Sequence, residues 1–297
     1  MMKQSPHTTN MANLANTPLG KVYLVGAGPG AADLITVRGA KLLAQADIVF
    51  HDALVEPEML ALCPQATLVA VGKRCGKLSS AQQFINKRLV DAAQKHKIIV
   101  RLKGGDPMLF GRADEELQTL KAAGIEVEVV PGITAALAGA ASIAQSLTLR
   151  GVSRSVAFIT LAQADKDVGM ELGQIQPISN PNADTLVYYM GRKDATKIAQ
   201  QLLNEERNGQ SNRHLNTPVH ILEAVSTKRE RQWSSTLGEL ALGKADHWFD
   251  SGSPALIMVG EALRETTMTK ESLESSSSEI NDSLQNSQIL PNGRRRA

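Results

Sequence analysis

Short, almost unbroken apolar runs alternate with amphipathic stretches through the first part of the chain. Lys21–Val25, Ile48–Phe50, Thr67–Val71, Ile98–Leu102 and Val127–Val130 read as strands of a covered sheet. Between them Glu56–Leu62, Ser80–Lys95 and Asp114–Ala123 carry helical spacing. Thr36 is placed to cap a further helix reaching Ala46, with Val37, Ala40, Leu43 and Ala44 along one face. This β-α alternation predicts an α/β domain built on a parallel sheet. Val130-Pro131-Gly132 breaks the pattern ahead of a small-residue helix at Thr134–Ala144.

Beyond that break the rhythm changes. Ser155–Leu161, Thr185–Met190, Pro218–Ala224, Gln232–Thr236 and Ala255–Val259 read as strands, with a polar insertion up to Ala183 and a helix at Asp194–Asn204. Strands that follow one another with fewer helices predict a mixed sheet. The expected organisation is a flexible leader at 1–19, an N-terminal α/β domain at 20–131, a C-terminal α/β domain at 132–264 and a disordered tail at 265–297. No internal repeat is evident.

Composition narrows the classes. A chain of 297 residues holds two ordinary domains, and 42% apolar with 21% charged residues is the balance of a globular protein. A net charge of +2 argues against bulk nucleic-acid binding. Cys63 and Cys75 lack CxxC spacing and histidine neighbours. That argues against a metal site and for a reducing compartment, with the cytoplasm as default. No apolar run approaches the roughly 18 residues of a membrane span. The stretch Met1–Thr17 lacks the apolar core of a signal peptide.

The chemistry gathers in loops that leave strands. In Arg101-Leu-Lys-Gly-Gly-Asp-Pro107 two glycines bare the backbone, Asp106 offers a carboxylate and Pro107 fixes the exit. That suits a ligand rich in hydroxyls and amines better than a phosphate; taken alone, a tight loop capped by Asp106 accounts for it more simply. Gly26-Ala-Gly-Pro-Gly-Ala31 has the form of a dinucleotide fingerprint, and Asp52 stands where a ribose-binding acid would. However, Pro29 removes a donor, and several residues intervene before Thr36 opens a helix, which argues against a dinucleotide. In open α/β sheets the ligand crevice lies beyond the carboxyl ends of the strands, where these loops would meet. Lys73, Arg74, Lys77, Arg101 and Arg112 are expected at the same edge, a set that would attract a small polyanion. Singly, each reads as solvated surface.

Together these residues resemble the tetrapyrrole (corrin/porphyrin) methylase family. The likeness spans Lys21 to Val259 and is carried by Val25-Gly-Ala-Gly-Pro-Gly30, Ala46–Val55, Val71-Gly-Lys-Arg74, Val100–Pro107, Phe110-Gly-Arg112, Val130–Ala135, Tyr188-Tyr-Met-Gly191 and Ser253–Ile257. The resemblance implies two α/β domains in a homodimer, with S-adenosyl-methionine folded in the cleft between them. It implies cofactor contacts at Pro29, Gly104, Gly105, Asp106, Leu109, Thr134, Ala135, Met190, Val225 and Ala255. It makes Asp52 a proton acceptor and Lys73 a proton donor or carboxylate anchor, leaving Arg74, Lys77, Arg101 and Arg112 for a polycarboxylate tetrapyrrole. The implied reaction is double C-methylation of uroporphyrinogen III to precorrin-2, for sirohaem or cobalamin synthesis. No metal, nucleic acid or membrane enters it.

The chain departs from the family pattern at four places. Leu149 replaces a usual His, Leu161-Ala162 a usual Gly-His, Ala113-Asp114 a Gly-Gly, and Ala224-Val225 a common Asn-Gly. These bear on turnover and substrate preference more than on the fold. Methylation of a later precorrin, a weakly catalytic cofactor-binding scaffold and, on Gly26–Gly30 alone, an NAD oxidoreductase are the competing readings.

Overall fold

The computed structural model describes residues 18–53, 55–71, 78–161, 180–210 and 212–265. Nearly all of them belong to one compact unit, Met1–Leu263. The expected leader apart from its last two residues, the tail beyond residue 265, and Lys73, Arg74, Cys75 and Lys77 lie outside the described residues.

The first sheet comprises β1 (Lys21–Gly26), β2 (Ile48–His51), β3 (Thr67–Ala70), β4 (Ile98–Lys103) and β5 (Val127–Val130). Their order is β3-β2-β4-β1-β5 and every pairing is parallel. Helices α1 (Val37–Gln45), α2 (Pro57–Leu60), α3 (Leu78–Ala93) and α4 (Ala113–Ala122) connect them. Side chains alternate between two cores, as the strand period of two requires. Val22, Leu24, Phe50 and Ile99 pack with Leu89 of α3 and Leu120 of α4. Val25, Val49, Val100 and Leu102 pack with Leu43 of α1 and Met59 of α2.

After α5 (Ala135–Ser142) come β6 (Val156–Thr160), β7 (Thr185–Tyr189), α6 (Ala195–Arg207), β8 (Pro218–Glu223), β9 (Arg231–Thr236), α7 (Leu237–Ala241) and β10 (Ala255–Val259). The second sheet runs β6-β7-β10-β8-β9. Only β6 and β7 are parallel; β10 is antiparallel to β7 and β8, and β9 to β8. This is the mixed sheet the pattern predicts. Leu186, Tyr188, Ile221 and Ile257 face α6, while Val187, Leu222, Leu256 and Met258 face α5.

Two details differ from the sequence reading. α7 is not among the predicted helices. It has five residues, too few for an apolar period to declare itself. α1 is capped as expected, with Thr36 Oγ1 accepting from Gly39 N at 3.1 Å, but its buried face is rotated. Leu43 is buried as expected, but Val37 is 73% exposed and Ala44 is exposed, and Gly39 is buried in their place. The helix abuts β1 at Gly39, where an added Cβ would lie 3.1 Å from Val25 Cγ1.

Candidate functional site

The exits of β1, β4 and β5 meet backbone against backbone. Gly28 and Gly105 exchange two hydrogen bonds, Gly28 N to Gly105 O at 3.2 Å and Gly105 N to Gly28 O at 2.7 Å. Both residues sit at positive φ, +76° and +68°, which glycine adopts freely. A Cβ on Gly26 would stand 2.5 Å from Gly132 Cα, and one on Gly132 would collide with Gly105 O. Around Gly104 and Gly105, by contrast, a Cβ would meet nothing within 4 Å. The loop therefore packs tightly on one side and leaves bare backbone facing open space on the other.

Asp106 holds this arrangement. Its Oδ1 accepts from Met108 N at 2.8 Å within the loop, and its Oδ2 accepts from Gly132 N at 2.9 Å after β5. Such charge-assisted bonds are stronger than neutral ones. The carboxylate thus acts as a clasp between two loops, which agrees with the tight-loop reading of Gly104–Pro107 and gives the side chain structural work.

The second sheet presents the opposing edge. β6, β7 and β8 end on the same side, where β10 begins, so Met190, Val225 and Ala255 come together. Ala31 N donates to Ser226 Oγ at 3.0 Å, joining the Gly26–Gly30 loop to the segment after β8. Arg229 and Lys228 pair with Glu56 and Glu58 beside α2 at 2.7 and 3.0 Å. At the head of α5, Thr134 Oγ1 and Tyr189 Oη are 2.5 Å apart, and Ala136 N donates to the same phenol at 3.1 Å. The Tyr189 ring meets Phe110 and Phe158 edge-on at 5.2 and 6.0 Å. Burial raises the Tyr189 phenol above its ordinary range against the pull of its two hydrogen bonds, so it stays protonated. Tyr189 is absent from the predicted site residues, although it lies inside the quoted Tyr188–Gly191 motif.

Beneath the edge of the first sheet lies a buried set of charges. Arg101 Nη2 bonds Asp52 Oδ1 at 2.5 Å, Arg101 Nε bonds Glu116 Oε1 at 3.1 Å, and Lys103 Nζ lies 3.1 Å from both Glu116 oxygens. Glu116 is fully buried, and Arg101 and Lys103 are each 3% exposed. Burial works against the Arg101 charge, but Asp52 and Glu116 outweigh it and hold the guanidinium firmly protonated. Burial, then repulsion from Arg101, lowers Lys103 below the usual lysine range despite the attraction of Glu116.

Arg101 therefore needs correcting as a substrate-binding cation. It projects from a central strand into the core, where its arms bond Asp52, Glu116 and the carbonyls of Leu102 and Phe50. Arg112 is at the surface before α4, in a two-point pair with Glu115 at 2.6 and 2.8 Å. Asp52 follows β2 with 32% of its side chain exposed, and its N–H bonds Leu102 O, which continues the β2–β4 register and sets it opposite Lys103, one residue before Gly104. Pro29 and Leu109 are half-buried, Thr134 and Val225 buried, and Met190 exposed.

The departures fall as follows. Leu149 is 45% exposed in a turn that pairs with Ser153, Ala113 is buried at the start of α4, and Ala162 lies outside the described residues. Ala224, the first residue after β8, sits at φ +48°. Cys63 is buried, and burial pushes its thiol up to about 11. Among the described residues no group of three or more His, Cys, Asp or Glu could hold a metal ion, and no helix is long and apolar enough to cross a membrane.

A five-stranded parallel sheet followed by a five-stranded mixed sheet, with helices on both, defines an α/β protein of two sheets. The model of the Tetrapyrrole (Corrin/Porphyrin) Methylases matches residues 21–241, and the chain belongs to that family. It is 41% identical over 247 residues to the uroporphyrinogen-III C-methyltransferase of Pseudomonas aeruginosa, covering 83% of this chain and 95% of that one. It is 40% identical over 250 residues to the siroheme synthase of a Psychrobacter strain, covering 83% of this chain. The chain spans about half the length, 48%, of that synthase. A crystal structure of uroporphyrin-III C-methyltransferase from Thermus thermophilus complexed with S-adenyl homocysteine matches with a TM-score of 0.66 and 38% identity, covering 82% of this chain and 99% of that one.

Proposed function

We propose that the chain transfers two methyl groups from S-adenosyl-methionine to carbon atoms of uroporphyrinogen III, giving precorrin-2 for sirohaem or cobalamin synthesis. The observation that carries this reading is the crevice edge at which Gly104 and Gly105 offer bare backbone to open space beside Asp52. Near full-length similarity to the Pseudomonas aeruginosa enzyme supports the choice of substrate.

In this reading Pro29, Gly104, Gly105 and Leu109 line the co-substrate from the first lobe. Thr134, Ala135, Met190, Val225 and Ala255 line it from the second. Asp106 contributes through the loop it clasps, since both its oxygens serve backbone N–H groups. S-adenosyl-methionine supplies an electrophilic sulfonium methyl. Facing lobes hold the acceptor carbon in line with that methyl and exclude water, the main task left to the protein when both reactants are already activated. Methylation leaves a proton to be lost from the macrocycle. Asp52 is the acceptor, a carboxylate paired with Arg101 and partly open to the crevice edge. Lys73, Arg74, Lys77 and Arg112 meet the carboxylates of the tetrapyrrole.

A homodimer in the cytoplasm belongs to the same proposal. The dimer is supported by a groove of about 520 Å³ whose lining includes Leu137, Ala141, Ala144, Val156 and Phe158, an apolar surface for a second copy to cover. Light scattering checks the assembly.

The deciding experiment incubates the protein with uroporphyrinogen III and methyl-labelled S-adenosyl-methionine. A doubly methylated, labelled product is expected. Transfer only to a later precorrin would replace the substrate, and binding without transfer to any tetrapyrrole would overturn the enzyme reading.

A further inference from the structure

The charged cluster beneath Asp52 has no task yet in the proposed chemistry. Burying ions carries a penalty of several kcal/mol each unless their partners are in place. An apolar set of similar volume would join α4 to β4 equally well. What the charges provide is a chain of directed bonds.

The chain can be followed inward from the crevice. Asp52 Oδ1 takes one arm of Arg101. Three further donors of that guanidinium go to Glu116 Oε1 and to the carbonyls of Leu102 and Phe50. A planar fork held on three sides cannot turn, so its last arm points where the others send it. Glu116 is fixed in turn. Lys103 reaches both its oxygens, and Gln82 Nε2 donates to Oε1 at 3.1 Å. Gln82 also donates to Asn86 Oδ1, and Asn86 grips Thr119 Oγ1 at 2.9 Å and the Glu115 carbonyl at 3.3 Å. The bonds thus run from α3 and α4 through Glu116 and Arg101 and end on one carboxylate. Asp52 is the member of the charged set with appreciable exposure, 32% against at most 4% for the others.

We infer that Glu116 and Arg101 are positioning residues, which hold the Asp52 carboxylate in one orientation at the crevice edge and set the rate of proton removal without touching substrate. Lys103 balances the charge: two acids and two bases cancel. This rests on the methyltransferase reading above.

The test is a double-mutant cycle between Asp52 and Glu116 in the full chain, with kcat measured for methyl transfer to uroporphyrinogen III. Glu116→Gln lowers kcat on the order of 10- to 100-fold, the effect of a catalytic group misplaced by about 1 Å. S-adenosyl-homocysteine affinity, read by calorimetry, changes less than about threefold. In an Asp52→Asn background the same substitution lowers kcat less than about twofold further, because residues that act through one group are not additive. Arg101→Lys shows the same pattern. Equal losses in both backgrounds, or an unchanged kcat in a folded Glu116→Gln variant, would overturn the inference. If that variant does not fold, the charge-balanced pair Glu116→Gln with Lys103→Met enters the same cycle.

A crystal structure of Glu116→Gln gives a readout independent of turnover. Asp52 is expected to leave its contact with Arg101 or to occupy several conformers, and a single conformer at the original 2.5 Å would refute the positioning role. Absence of methyl transfer by the unaltered protein would sink the methyltransferase reading, while the crystal result still decides whether the cluster orients Asp52.

Discussion

At the ends of β1 and β4 the chain turns into the crevice through glycines, whereas at the ends of β7 and β8 it turns through side-chain-bearing residues. Gly28 and Gly105 take φ +76° and +68°, while Met190 and Ala224 take +57° and +48°, with Ser226 at +62° close behind. A left-handed residue other than glycine carries roughly 1–2 kcal/mol of strain. Where β1 and β4 end, glycine takes these angles without that strain, and Gly26 and Gly132 pack too closely for a Cβ; further along the same loop Phe110 and Arg112 do carry it, at +52° and +54°. The second lobe accepts it, which leaves Met190 exposed at the edge and lets Ser226 reach Ala31. One edge is shaped by what is absent, the other by what is presented.

The difference can be broken from either side. Gly132→Ala should have the largest effect. Its Cβ meets Gly105 O and Gly26 Cα, both backbone, so nothing flexible can yield. A loss of about 3 kcal/mol in urea unfolding is expected, the upper part of the range for overpacking. Asp106→Ala removes two charge-assisted bonds and should cost about 2 kcal/mol. It should also weaken S-adenosyl-homocysteine binding by calorimetry, whereas Asp52→Ala should slow turnover with affinity nearly kept. Equal losses of affinity in the two variants would contradict that division of labour.

Tyr189→Phe tests how the head of α5 is held on β7. It leaves the ring contacts and removes the hydroxyl shared by Thr134 and Ala136, for about 1 kcal/mol and a lower melting temperature. Ala224→Gly should run the other way, raising stability by up to about 1 kcal/mol, since relief of left-handed strain is partly offset by a freer unfolded chain. A lower melting temperature for Ala224→Gly would show that the strain argument does not describe the second lobe.

Much of the fold was legible because burial on both faces leaves a plain mark. Ile98–Leu102 and Pro218–Ala224 both read as strands, and the observed β4 and β8 differ from them by a residue at one end. The buried face of α1 was less legible: counting apolar residues favoured Val37, whereas the helix is seated by Gly39, which has no side chain to count. Gly104–Asp106 stood out, yet its carboxylate turned out to serve backbone that is remote in sequence. Arg101 and Lys103 carry a further signal in the sequence. At i and i+2 in a central strand they share one face, and two cations buried there demand an acid from the covering helix, which Glu116 at the start of α4 provides. Which acid, and that Asp52 would complete the set, depends on how α4 lies across β4, and no local pattern encodes that.

The clasp at Asp106 has a thermodynamic consequence. Gly28, Gly105, Gly132 and Met108 are bonded within the protein before any ligand arrives. Their conformational entropy is lost when the chain folds, not when a ligand binds, so association does not have to order this loop. Ligand affinity at this edge should then follow contacts made, and the heat capacity of binding should match the surface covered with no folding contribution added.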